Sequence, residues 1–176
     1  MYREKFIRSI GAVALALAIA ACEREQEPPA PPGAGQPAQA KKAVVPAPLK
    51  EFVQELSCST PVHTLRVNEK VTLPVTVKNP GTEIWPATGD PTEGYAVHLS
   101  YHWLDEAGTV VVLDGARTKL PQDLAPGKSV SLAATIQAPV KTGNFTLRLT
   151  MVQEKVAWFD DKGAQLLDMP VTVTAQ

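Results

Sequence analysis

Val71-Thr72-Leu73-Pro74-Val75-Thr76-Val77-Lys78-Asn79-Pro80-Gly81 alternates aliphatic and polar side chains and then breaks on turn residues. A period of two puts Val71, Leu73, Val75 and Val77 on one face of a strand, against a core. Asn79-Pro80-Gly81 ends it with turn chemistry. Pro74 has no amide hydrogen for a ladder, which places it at a sheet edge or a bulge.

The same pattern recurs outward from this stretch. Val97, Leu99, Tyr101 and Trp103 line one face of a second strand, and Ala96, His98, Ser100 and His102 the other. Asp105-Glu106-Ala107-Gly108 makes a hairpin loop into Thr109–Leu113, and Asp114-Gly115 marks another turn. Leu124-Ala125-Pro126-Gly127 leads into Val130, Leu132, Ala134 and Ile136. Ala138–Gly143 connects to Phe145, Leu147, Leu149 and Met151. Asp160-Asp161-Lys162-Gly163 reads as a third hairpin-type turn before Val171 and Val173. Short alternating strands with Gly/Pro turns and no long helix predict an all-β protein, an antiparallel β-sandwich of about seven strands.

Val75–Pro86, with its Asn79, Gly81 and Trp85, resembles a segment of bacterial immunoglobulin-like and fibronectin-III-like modules. So do Leu124–Gly127 before a strand and Ala138-Pro139 leading to Gly143-Asn144-Phe145-Thr146-Leu147. The resemblance covers about residues 65–175 and implies an immunoglobulin-like sandwich used for adhesion, carbohydrate binding or spacing. An antibody-type intersheet disulfide is missing, and Phe145 stands where a tyrosine corner needs a hydroxyl.

The remaining chain divides at Ile19-Ala20-Ala21-Cys22. These residues resemble a bacterial lipobox, at which a signal peptidase cuts before a diacylglyceryl-modified cysteine. Arg3, Lys5 and Arg8 form a basic start, and Ile10–Ala21 an apolar run with small residues before Cys22, so residues 1–21 read as a lipoprotein signal peptide. An uncleaved anchor needs roughly 20 apolar residues, more than this run holds. An ordinary cut after Ala18-Ile19-Ala20 also fits the residues. From Cys22 to Pro48 the chain is Pro/Ala-rich, with seven prolines between Pro28 and Pro48. It lacks the large apolar side chains that offset ordering entropy, which predicts a disordered, extended tether. The folded domain is then residues 49–176. At its start Leu49, Phe52, Val53 and Leu56 have helical spacing, predicting two turns of helix docked on the sandwich.

Charge points to no partner. With 17 basic and 18 acidic residues, the chain has no concentrated basic face for nucleic acid. Removal of residues 1–21 takes away three basic side chains and one acidic, leaving the balance slightly more acidic. The only two cysteines are Cys22 and Cys58. If Cys22 carries lipid, Cys58 is either a buried small apolar residue or paired between molecules.

Catalytic patterns are absent: there is no Gly-x-Ser-x-Gly elbow and no His-Glu-x-x-His motif. His98 and His102 are about 13 Å apart along one strand face, too far to chelate one metal unaided, and read as half-exposed surface residues. Asp160, Asp161 and Asp168 lack the alternating oxygen ligands of a calcium loop. No cofactor or metal is expected. The candidate binding residues are aromatic: Trp85, Trp158 and Phe159, at loop edges where an indole can stack on a sugar or anchor an interface. Alternatively these rings cap the ends of the core. His98 and His102, with Arg117 near the face that carries them, are further candidates for a binding surface.

These readings predict a non-enzymatic lipoprotein of the bacterial cell envelope, membrane-anchored by its N-terminal lipid. Its sandwich would bind an envelope protein complex or a polysaccharide. A spacer or assembly accessory without a small ligand is the alternative, and a hydrolase a remote third. Lipoprotein sorting resembles a rule about the residue after the cysteine, in which aspartate retains the protein at the inner membrane. Glu23 is not aspartate, which favours the outer membrane.

Overall fold

A computed structural model describes residues 45–176, which belong to a single unit spanning Lys41–Gln176. The expected signal peptide, Cys22 and all but the end of the expected tether lie outside the described residues. Ten strands follow in order: β1 (Glu55–Cys58), β2 (Thr64–Arg66), β3 (Lys70–Lys78), β4 (Val97–Leu104), β5 (Val110–Val112), β6 (Thr118–Lys119), β7 (Ser129–Gln137), β8 (Gly143–Gln153), β9 (Ala157–Trp158) and β10 (Leu167–Thr174). The count exceeds the expected seven because β2, β5, β6 and β9 are only two or three residues long.

The strands form two sheets, ordered β1-β3-β7 and β2-β10-β8-β4-β5, with β6 also pairing β4 and β9 pairing β8. Every pairing among them is antiparallel except β2 with β10. The domain is thus an all-β sandwich of immunoglobulin-like type. Leu73, Val75 and Val77 of β3 and Leu132, Ala134 and Ile136 of β7 face Leu147, Leu149 and Met151 of β8 and Met169, Val171 and Val173 of β10 across one core. Each fully buried large aliphatic side chain favours the folded state by about 1.5–3 kcal/mol.

Pro74 sits in the middle strand of the smaller sheet, yet the edge expectation holds locally. It pairs with Ala133 on one side, while the β1 register on the other side stops at Cys58↔Val75. No ladder amide is required of residue 74 there. The turn residue Asn79 is buried and ties three segments together. Its Nδ2 donates to the carbonyls of Glu83 (2.8 Å) and Leu124 (2.9 Å), and its Oδ1 accepts from the Gly81 N–H.

Three expectations are corrected. The Leu49–Leu56 segment is not helical: Leu49–Gln54 runs without regular structure and Glu55–Cys58 is β1, paired with β3. Two turns of helix cannot sustain themselves, whereas the extended chain gains ladder bonds and buries Leu49, Gln54 and Leu56. Asp160–Lys162 is a single 3-10 turn rather than a hairpin, closed by Gly163 in the left-handed region at φ 82°. The second face of β4 does not meet solvent, because all eight of its residues are buried. Cys58 is a free thiol, partly buried against the core.

Candidate functional site

β4 is buried on both sides because something other than the second sheet covers its polar face. His98, Ser100 and His102 point there, with 4%, 1% and 3% of their surfaces exposed. The Leu113–Arg117 segment between β5 and β6 and the β8–β9 turn fold over them. The half-exposed reading of the two histidines is therefore wrong.

Arg117 organises the roof. Its Nε donates to Glu154 Oε1 at 2.6 Å, and its Nη1 to the Ser100 hydroxyl (3.0 Å) and the Gly115 carbonyl (2.9 Å), with Asp114 Oδ1 at 2.5 Å. Burial alone would lower the guanidinium pKa, but the hydrogen bonds to Glu154 and Asp114 outweigh it and hold the group above its ordinary value. The same Glu154 Oε1 accepts from His98 Nδ1 at 3.0 Å, so one carboxylate clamps an arginine and a histidine. Ser100 donates to the Gly115 carbonyl at 3.0 Å. Gly115 itself passes so close to Tyr101 that a Cβ would lie 2.7 Å from its ring.

Trp158 lies against this network. Its indole packs on the His102 ring at 4.3 Å between centroids, and the Arg117 guanidinium carbon stands 4.7 Å from its centroid, in cation–π range. The side chain is partly exposed. Leu113, Arg117, Glu154, Val156 and Trp158 help to line a shallow depression of about 350 Å³. Leu113 and Val156 present aliphatic surface to water beside it.

Below Trp158, His102 Nδ1 donates to the Leu113 carbonyl, while its Nε2 faces Asp160 Oδ2 at 3.6 Å, too long for a hydrogen bond. Burial would raise the Asp160 carboxyl, but the His102 ring, the residue's own backbone N–H and the Thr150 hydroxyl together outweigh this and hold it below the usual carboxylate range. Asp160 Oδ1 is buried without a hydrogen-bond partner among the described residues. No group of three or more His, Cys, Asp or Glu side chains among the described residues could hold a metal ion.

Of the candidate residues, the structure brings Trp158, His98, His102 and Arg117 into one constellation. It places the other two elsewhere. Trp85 (1% exposed) and Phe159 are core residues, stacked edge to face at 5.2 Å, with Phe52 on the other side of Phe159 at 5.1 Å. Their rings offer no stacking surface, and the core-capping alternative describes them. Glu154 escaped sequence reasoning because it gains its role only when the β8–β9 turn folds onto β4, whereas Asp114 and Asp160 read as turn residues and not as partners of Arg117 and His102.

No protein-family model matches the chain, and no curated protein sequence matches it. Similar solved structures include a CARDB domain from Pyrococcus furiosus in complex with di-metal ions, at 17% identity and a TM-score of 0.40. That match covers 69% of this chain and 86% of that one. The sporulation control protein Spo0M of Bacillus subtilis matches at 11% and 0.42 over 70% of this chain and 49% of its own. A PapD-like domain of human CEP192 matches at 15% and 0.31, over 80% and 98%. At these scores the likeness is coarse, and the sandwich rests on the strand pairing itself.

Proposed function

We propose that this chain is a lipoprotein of the bacterial envelope, anchored through Cys22 in the outer membrane, whose sandwich is a non-catalytic binding module. Its contact surface is the depression around Trp158, and its partner is an envelope protein complex or a polysaccharide. The observation that carries the binding reading is the mounting of Trp158. A partly exposed indole is held by His102 and Arg117, whose polar atoms are in turn tied to Glu154, Asp114 and Leu113. A rigid aromatic anchor beside aliphatic and charged groups is how interfaces and sugar sites gain affinity at small entropic cost. Ser100, the one hydroxyl set between two histidines, is buried and donates to a backbone carbonyl. That supports binding over nucleophilic chemistry.

The test is affinity capture from cell envelope with the wild-type chain and with Trp158→Ala. Because Trp158 is partly exposed, the variant keeps its melting temperature within a few degrees and loses the captured partner or glycan. Lost stability with partner retention would instead make the ring structural and favour a spacer. The anchoring claim fails if Cys22→Ala partitions into a detergent phase as fully as wild type.

A further inference from the structure

The sandwich has an open seam that shares Asp114 with the depression beside Trp158. β5 ends the larger sheet and β7 the smaller, and between β5 and the Gln137–Lys141 connection runs a trough of about 580 Å³. That lies within the roughly 300–1,000 Å³ typical of small-molecule sites. Tyr101, Val112 and Phe145 line it together with Val111 and Val140. The last two are 47% and 73% exposed, aliphatic groups left in water around one concavity.

The trough is built to keep its shape. The Gln137 N–H donates to the Tyr101 hydroxyl at 3.0 Å, and Trp103 Nε1 donates to the Gln137 carbonyl at 2.9 Å. Two core aromatics thereby pin the start of the Gln137–Lys141 wall. Tyr101 has its hydroxyl engaged, so the ring contributes apolar surface.

The charges at the rim differ in availability. Asp114 is already held by Arg117 at 2.5 Å. Lys141 is exposed and forms no ion pair with any described residue. An apolar trough with one uncompensated cation at its lip complements an amphipathic anion. We propose that this seam binds a single fatty acid, its alkyl chain between Val111, Val140 and Phe145 and its carboxylate on the Lys141 ammonium.

The probe is dodecanoate below its micellar concentration, titrated into the full chain carrying Cys22→Ser so that it bears no lipid of its own. Binding is read from tryptophan fluorescence and melting temperature. Trp103 is a suitable reporter, since it meets Phe145 edge to face at 6.3 Å. Saturable one-to-one binding that raises the melting temperature is expected. Lys141→Glu, and dodecanol in place of dodecanoate, should each weaken it at least about tenfold. Val140→Asp should abolish it. Both substituted residues are exposed, so the variants should fold, and their melting temperatures without ligand check this. No saturable binding, or binding indifferent to both substitutions, overturns the proposal. So does sedimentation showing a dimer through this seam that dodecanoate leaves intact.

Discussion

At the scale of single residues, the two faces of β4 show where side-chain pattern is informative and where it misleads. Leu99, Tyr101 and Trp103 were legible as core because aliphatic and aromatic residues at period two have one economical placement. His98, Ser100 and His102 were read as surface because their roof comes from residues 11–56 positions further along the chain, whose folding no local pattern records. Arg117 was found by proximity alone, and Glu154 not at all. The Asp160–His102 contact has a consequence for pH. Asp160 is held below its unfolded value of about 3.9, so its contribution to stability is complete above that pH and is lost as pH falls through the lower folded value. Asp160→Asn removes that contribution. The melting-temperature difference between wild type and the variant should shrink as pH falls below about 4. A difference that stays constant down to pH 2.5 would mean the carboxyl is not paired in the native state.

Among the elements, the N-terminal segment is where the helix expectation failed. Leu49, Phe52, Val53 and Leu56 do have helical spacing, but the partners that decide the conformation are remote. Gln54 fills a gap in the larger sheet. β10 pairs with β8 only as far as Leu149, and β9 pairs from Val152 onward. In between, Gln54 Oε1 accepts from the Met151 N–H at 2.8 Å, and its Nε2 donates to the Gln165 carbonyl at 2.7 Å. A glutamine among apolar residues looks like the polar side of a helix, and only the interrupted ladder explains its burial. Gln54→Ala leaves a buried donor without a partner, at a cost of about 1–3 kcal/mol. Urea unfolding should show a lower midpoint at unchanged slope, and a shift equivalent to under about 0.5 kcal/mol would show the gap to be filled by other means.

For the molecule as a whole, the sandwich was readable because alternation, turn residues and strand spacing agreed with one another along the chain. The boundary of the domain was less so. Composition alone sets it after Pro48, while the structure extends the tie further back. Gln153 Nε2 donates to the Ala47 carbonyl at 2.7 Å, and Gln153 Oε1 accepts from the Leu49 N–H at 2.9 Å. Gln153 is itself fully buried at the end of β8. The last residues of a proline-rich stretch are thus clamped by the sheet, and proline content hides that contact because it reads the same on either side of it. Two truncations separate the boundaries. A chain starting at residue 45 retains every one of these bonds and should melt within about a degree of one starting at residue 23. A chain starting at residue 51 loses the buried Leu49 side chain, worth about 1.5–3 kcal/mol, and leaves Gln153 Oε1 without the Leu49 N–H, at a further cost of about 1–3 kcal/mol, while Nε2 keeps the Tyr95 carbonyl at 3.0 Å. For a domain of this size that is a fall of roughly 5–20 °C, at about 2–4 °C per kcal/mol. Equal melting of all three chains would detach the Ala47–Leu49 contact from the fold and return the boundary to the position composition suggests. A drop already at residue 45 would instead make the tether part of the stable unit.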